Sequence, residues 1–125
     1  MILSFFKNKE KVDLFEDQYP DHEFNWSAPW WSLKENLRAK IGIQKEIHLE
    51  IGPKHPLSKL QPIAFAKCDA SDDVLVFLND GRFACLHLVW HGKIDQFPDK
   101  FPSTYFFKTK EEVQNFINEG AENYT

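Results

Sequence analysis

The stretch Asp73-Val-Leu-Val-Phe-Leu-Asn-Asp-Gly-Arg-Phe-Ala-Cys-Leu-His-Leu-Val-Trp90 constrains the fold more than any other part of the chain. It reads as two strands joined by a tight turn, because Asp80-Gly81 supplies the two positive-φ positions of a two-residue type I′ loop. That loop sets a register in which Leu78 faces Phe83, Val76 faces Cys85 and Val74 faces His87. Phe77 opposite Ala84 and Leu75 opposite Leu86 then fall on the other side. Both sides are apolar. Such a hairpin has to be covered on both faces, which puts it in the middle of the fold.

The covering material is present. The chain has 125 residues, one domain's worth, 42% of them hydrophobic and 15% aromatic, with twelve Phe and four Trp. That is enough for a core without staples and too apolar for a disordered chain. Cys68 and Cys85 are the only cysteines. Two thiols without CxxC spacing make no disulfide framework and read as free thiols packed in apolar strands, as in a cytosolic protein. The opening Met1-Ile-Leu-Ser-Phe-Phe-Lys7 has its lysine after the apolar patch, the reverse of a signal peptide, and no run approaches membrane-span length. A cytoplasmic location is expected.

Around the hairpin, residues 1–12 read as a short strand or loose arm and residues 13–28 as irregular structure. Asn25 or Ser27 then caps a helix with Pro29 in its first turn, and Trp30, Leu33, Leu37 and Ile41 form its apolar stripe. Residues 44–51 fit helix or strand; helix is favoured, because Gly52-Pro53 is a natural stop. Ile63-Ala-Phe-Ala-Lys-Cys68 is a core strand, residues 69–73 a polar turn, residues 91–103 a long loop, and Thr104 to Lys108 another strand. Thr109-Lys-Glu-Glu112 is a capping box, Val113, Phe116 and Ile117 give the last helix its buried side, and Gly120 ends it. The expected fold class is α+β: a central antiparallel meander of three to four strands between an N-terminal helical segment and a C-terminal helix.

No residue set announces catalysis. His87 and His91 are four apart, but on a strand that spacing separates them by about 13 Å, too far to share one metal ion. His55 fits a residue that bonds a loop carbonyl and fixes a turn; a general base needs a nucleophile or carboxylate beside it. Ser58 and Ser103 lack a Gly-x-Ser-x-Gly frame. No metal or cofactor is expected. Asp69, Asp72 and Asp73 share one turn, and Asp80, Asp95 and Asp99 lie in other loops. Their plain role is to bond local amides; their sharper one is an acidic contact surface for a basic partner. Phe24, Trp26, Trp30 and Trp31 form an aromatic knot that is mostly core, with Trp31 available as a contact anchor.

Several segments together carry a resemblance. They are Glu50-Ile-Gly-Pro-Lys-His-Pro-Leu57, Ile63-Ala-Phe-Ala66, Asp72-Asp-Val-Leu-Val-Phe-Leu78, Ala84-Cys-Leu-His-Leu-Val-Trp90 with Gly92-Lys93, and Pro102 to Phe107 before a short helix. The chain resembles, over about residues 28–118, small bacterial single-domain proteins whose core strand reads roughly A-V-V-H-L-T-W. Those in turn resemble immunity proteins of polymorphic or contact-dependent toxin systems. Here Val89 stands for the usual Thr and Cys85 for a Val, and both changes keep the strand pattern. The resemblance carries over no catalytic residue.

The resulting expectation is a non-catalytic protein that binds and occludes a cognate toxin domain, a nuclease being one such target. Asp69, Asp72, Asp73, Asp95 and Asp99 are the expected contact carboxylates and Trp31 the expected anchor. With a net charge of −4, neither nucleic acid nor membrane is an expected partner. The alternatives are a housekeeping adaptor or scaffold and a small hydrolase using His87, His91 or His55. Presence of two histidines, or a histidine and a carboxylate, at one cleft is what the hydrolase requires.

Overall fold

The computed structural model describes residues 24–124; the expected N-terminal arm and the irregular stretch before Phe24 lie outside the described residues. Five strands follow one another as an antiparallel meander: β1 (Trp30–Ser32), β2 (Ile63–Cys68), β3 (Asp73–Phe77), β4 (Phe83–His87) and β5 (Ser103–Phe107). A short 3₁₀ turn (Leu33–Glu35) and helix α1 (Leu37–Glu50) separate β1 from β2, and helix α2 (Lys110–Tyr124) follows β5. The α+β class holds, with five strands rather than three to four.

The hairpin is central, as its two apolar faces require. Leu75, Phe83, Cys85 and Phe65 pack on one face of the sheet with Phe107, Val113 and Ile117, under α2. Val74, Val76, Leu78, Ala84 and Leu86 pack on the other with Ile43, Ile47 and Leu57, under α1. Each buried Val, Leu, Ile or Phe among them contributes about 1.5–3 kcal/mol relative to exposure. The register differs by one residue from the sequence expectation: Val74 pairs with Leu86, Leu75 with Cys85, and Phe77 with Phe83. The Leu78 carbonyl accepts the Gly81 amide and the Leu78 amide donates to Arg82 O, both at 3.0 Å. The loop is therefore the three residues Asn79-Asp80-Gly81, with Gly81 at φ +90°. A one-residue slip exchanges faces, and where both faces are apolar the hydrophobic pattern cannot detect it.

The N-terminal helix is also placed differently. Trp30 and Trp31 lie on β1, whose alternation sends Trp30 toward α2 and Trp31 toward the α1 side. The helix starts at Leu37, with the Asn36 side chain accepting the Ala39 amide at 3.0 Å. Leu37 and Ile41, expected in its buried stripe, are 50% and 52% exposed. Its buried face is Lys40, Ile43, Glu46, Ile47 and Glu50. Three of those five are charged types, which is why an apolar-stripe reading found the wrong side. Gln44 fastens the helix to the sheet: its amide nitrogen donates to Pro62 O and its oxygen accepts the Ala64 amide, both at 2.9 Å.

The C-terminal helix begins as its sequence dictates. The Thr109 hydroxyl accepts the Glu112 amide and the Glu112 carboxylate accepts the Thr109 amide, each at 3.2 Å. Gly120 does not end it. The helix runs on to Tyr124, and a Cβ at Gly120 would lie 3.2 Å from the Trp30 indole nitrogen. Glycine is needed there for close approach to Trp30, not for a cap.

Candidate functional site

In a meander, alternate connections gather at one end of the sheet. The end where β2 and β4 finish and β3 and β5 begin carries the turn 69–72 and the long connection 88–102. It also receives the start of β1 and the C-terminus of α1. Asp69, Asp72, Asp73, Asp95, Asp99 and Trp31 are therefore brought to one end of the molecule, whereas Asp80 lies in the β3–β4 turn at the other end, paired with Arg82.

Within that end the carboxylates divide. Asp69 is exposed at the turn and accepts the Trp31 indole N–H on Oδ1 at 2.7 Å, which fixes the ring beside it. Asp72 and Asp99 are exposed. Asp73 is engaged: Oδ1 meets His87 Nδ1 and Oδ2 accepts the Ser71 hydroxyl, both at 2.8 Å. Asp95 is engaged as well, accepting the Phe97 amide at 2.9 Å. The connection 88–102 holds Lys93 and Lys100 alongside Asp95 and Asp99, so the acidic character rests on the turn 69–73, where the Lys67 ammonium, bonded to the Cys68 and Ser71 carbonyls, offsets part of it.

What the long connection contributes is apolar. Trp90, Ile94, Phe97 and Phe101 are all at least 39% exposed. Ile94 lies over the end of α1, where its side chain would stand 3.0 Å from a Cβ on Gly52. Exposed aromatics beside carboxylates are the composition of a protein-binding surface, with large rings as anchors and charges at the rim.

The connection is held from below by α1. Glu50, 1% exposed, accepts the Val89 amide on Oε1 at 2.9 Å and the Trp90 amide on Oε2 at 2.7 Å. Glu46 accepts the Gly92 amide at 2.9 Å. Trp90 has φ +60° and Gly92 φ +69°. A tryptophan in the left-handed region is uncommon, and here buried carboxylates hold its backbone while the ring faces outward. Burial pushes the Glu50 carboxyl up from 4.5 to about 7, helped by its hydrogen bond to Glu46, while the Val89 and Trp90 amides pull it down. Sequence reading missed Trp90, Glu46 and Glu50. The available signal was two glutamates at i, i+4 on one helix face ahead of a Gly-Pro stop.

The histidines do not converge. His55 is buried: it accepts the Leu57 amide on Nδ1 at 3.0 Å and meets Pro102 O through Nε2 at 2.7 Å, which makes it a neutral Nε2–H donor. That is the turn-fixing role its sequence setting suggests, and burial lowers its pKa below 6.5. It lies against Thr104, on the α1 side, whereas His87 pairs with Asp73 on the opposite side of the sheet. His87 and Asp73 do form a histidine–carboxylate pair. The hydroxyl beside it, Ser71, donates to Asp73 rather than to the imidazole, so this set lacks the nucleophile-to-base bond of acyl-transfer sites. Among the described residues no three His, Cys, Asp or Glu side chains are grouped to hold a metal ion. Cys68 and Cys85 are buried free thiols, and burial first, then Asp73, raises the Cys85 thiol far above its ordinary range. No helix among the described residues is long and apolar enough to cross a membrane. Comparison with protein-family models, curated proteins and solved structures finds no match to this chain.

Proposed function

We propose that this chain is a non-catalytic immunity protein of the cytoplasm that binds a toxin domain and blocks its working surface. The carrying observation is the gathering, at one end of the sheet, of exposed Asp69 and Asp72 beside Trp31 and of the outward-facing ring of Trp90 with Ile94, Phe97 and Phe101. The segment resemblance to immunity proteins supports the same reading. A basic, nuclease-type toxin domain suits the chemistry. Asp69 and Asp72 take the places of substrate phosphates and speed the encounter, and the exposed aromatic side chains of the connection supply the desolvated contacts that slow release.

The test is co-expression with the toxin domain encoded beside this gene. Cells carrying the native chain survive, and the two proteins co-purify. Asp69→Lys with Asp72→Lys slows association and steepens its loss in salt; Trp90→Ala speeds dissociation. Equal killing with and without the native chain ends this reading. Survival that persists when the two proteins fail to bind would point instead to an enzymatic or adaptor role.

A further inference from the structure

We infer that the free edge of β5 is a second binding surface, one that takes an extended, basic segment of a partner protein as an added strand. Among the described residues, β5 is the last strand of the sheet and pairs on one side only, with β4. Its alternate N–H and C=O groups therefore point away from the sheet, the template used in strand addition. Exposed edges are ordinarily blunted by a charge, a proline or a bulge. β5 reads Ser-Thr-Tyr-Phe-Phe, without charge or proline, and it pairs with β4 in unbroken register from Ser103 to Phe107. Tyr105 is 65% exposed on this edge.

The flank of the edge says what fits. A groove of about 210 Å³ runs between β5 and α2, lined by Tyr105, Phe107 and Phe116 with Glu112, Asn115 and Glu119. The Tyr105 and Phe107 ring centroids are 5.0 Å apart and those of Phe107 and Phe116 are 5.1 Å apart, so the exposed Tyr105 ring and the half-buried Phe116 ring flank the buried Phe107 along the groove. On an added strand, every second side chain points toward α2. A lysine or arginine there lays its stem on these rings and brings its cation to Glu112 and Glu119. A second copy of this chain fits poorly. Pairing two β5 edges about a two-fold axis brings both copies' Glu112 and Glu119 to one face, where like charges repel. This surface is an edge rather than the sheet end described above, and the inference does not depend on the toxin reading.

The test uses the full chain and labelled heptapeptides that alternate lysine or arginine with valine, threonine or phenylalanine, read by fluorescence anisotropy. Saturable binding is expected, at least about tenfold weaker when the basic residues are replaced by glutamate, and lost when alternate peptide amides are N-methylated. Glu119→Lys, at an exposed position outside the helix cap, weakens binding by about the same factor. Tyr105→Lys, which charges the edge, abolishes it while leaving the unfolding midpoint in place. Amide exchange of outward-facing β5 N–H groups slows when peptide is bound. Absence of saturable binding at millimolar peptide, equal binding of the glutamate series, or indifference to N-methylation overturns the proposal. Self-association of the native chain that Tyr105→Lys dissolves also overturns it, because the occupant is then a second copy.

Discussion

Glu50 Oε2 holds the Trp90 amide at 2.7 Å, and the residue so held has φ +60°. A carboxylate at the end of a helix thereby fixes the backbone of an exposed aromatic on a connection that has no strand pairing of its own. The other oxygen takes Val89, so each oxygen of the carboxyl holds one amide of the same short segment. Replacing Glu50 by Gln puts an NH₂ where an acceptor is needed and leaves one buried amide without its bond. The expected loss is about 1–3 kcal/mol, read as a lower urea midpoint at unchanged slope. A midpoint that does not move would mean that the segment is held by its side chains instead.

Stability near neutral pH follows from the same carboxyl. The folded-state value of about 7 lies above the ordinary 4.5, so between these values the native state binds more protons than the unfolded chain. Glu50's contribution is therefore fully present below about pH 4.5 and is lost as pH rises through about 7, with a slope of at most about 1.4 kcal/mol per pH unit. Glu46→Gln removes the neighbouring carboxyl while keeping an oxygen for the Gly92 amide. It is expected to lower the Glu50 value and flatten this part of the curve, measured as urea midpoints from pH 5 to 8 in native and variant chains.

These two glutamates also show where sequence reading stopped. The hairpin's central place, the limits of β2, the Thr109–Glu112 cap and the His55 turn were legible, because each is set by neighbours in the chain or by an unambiguous apolar run. The register between β3 and β4 was not, since a one-residue slip keeps both faces apolar. The buried face of α1 was not, since Lys40, Glu46 and Glu50 are ordinarily surface residues, and only the fold places backbone amides against two of them. Of the expected contact residues, Trp31 and Asp69 come together through a hydrogen bond between β1 and the β2–β3 turn, which no spacing in the sequence encodes.

His55 gives an opposite pH signature. Its pKa is lowered by burial, and protonation at Nδ1 would set an N–H against the Leu57 amide. The unfolded chain therefore binds the proton more readily, and His55's contribution is present above about pH 6.5 and lost as pH falls. His55→Ala is expected to cost about 1–3 kcal/mol, because it strands the Leu57 amide and leaves the Pro102 carbonyl with the Thr104 hydroxyl alone, and to remove that part of the acid-side decline. Chemical denaturation of this variant at pH 5 and pH 7.5 separates the two effects: the difference from the native chain shrinks at the lower pH.

Trp90 separates stability from binding. Glycine adopts φ +60° without the Cβ clash that tryptophan meets there, so Trp90→Gly relieves backbone strain. The unfolded chain gains freedom at the same time, which offsets part of the benefit. Trp90 is 44% exposed, so rather more than half of its area is buried in the fold, and losing that burial opposes the relief. Strain relief and lost burial nearly cancel, and the expected net result is a change of less than about 1 kcal/mol in unfolding free energy. The ring is also the proposed anchor, so affinity for the toxin domain should fall by at least about tenfold. Denaturation and titration calorimetry on one preparation read both quantities. A variant that loses stability and keeps affinity would make Trp90 a packing residue and move the contact surface elsewhere on the molecule.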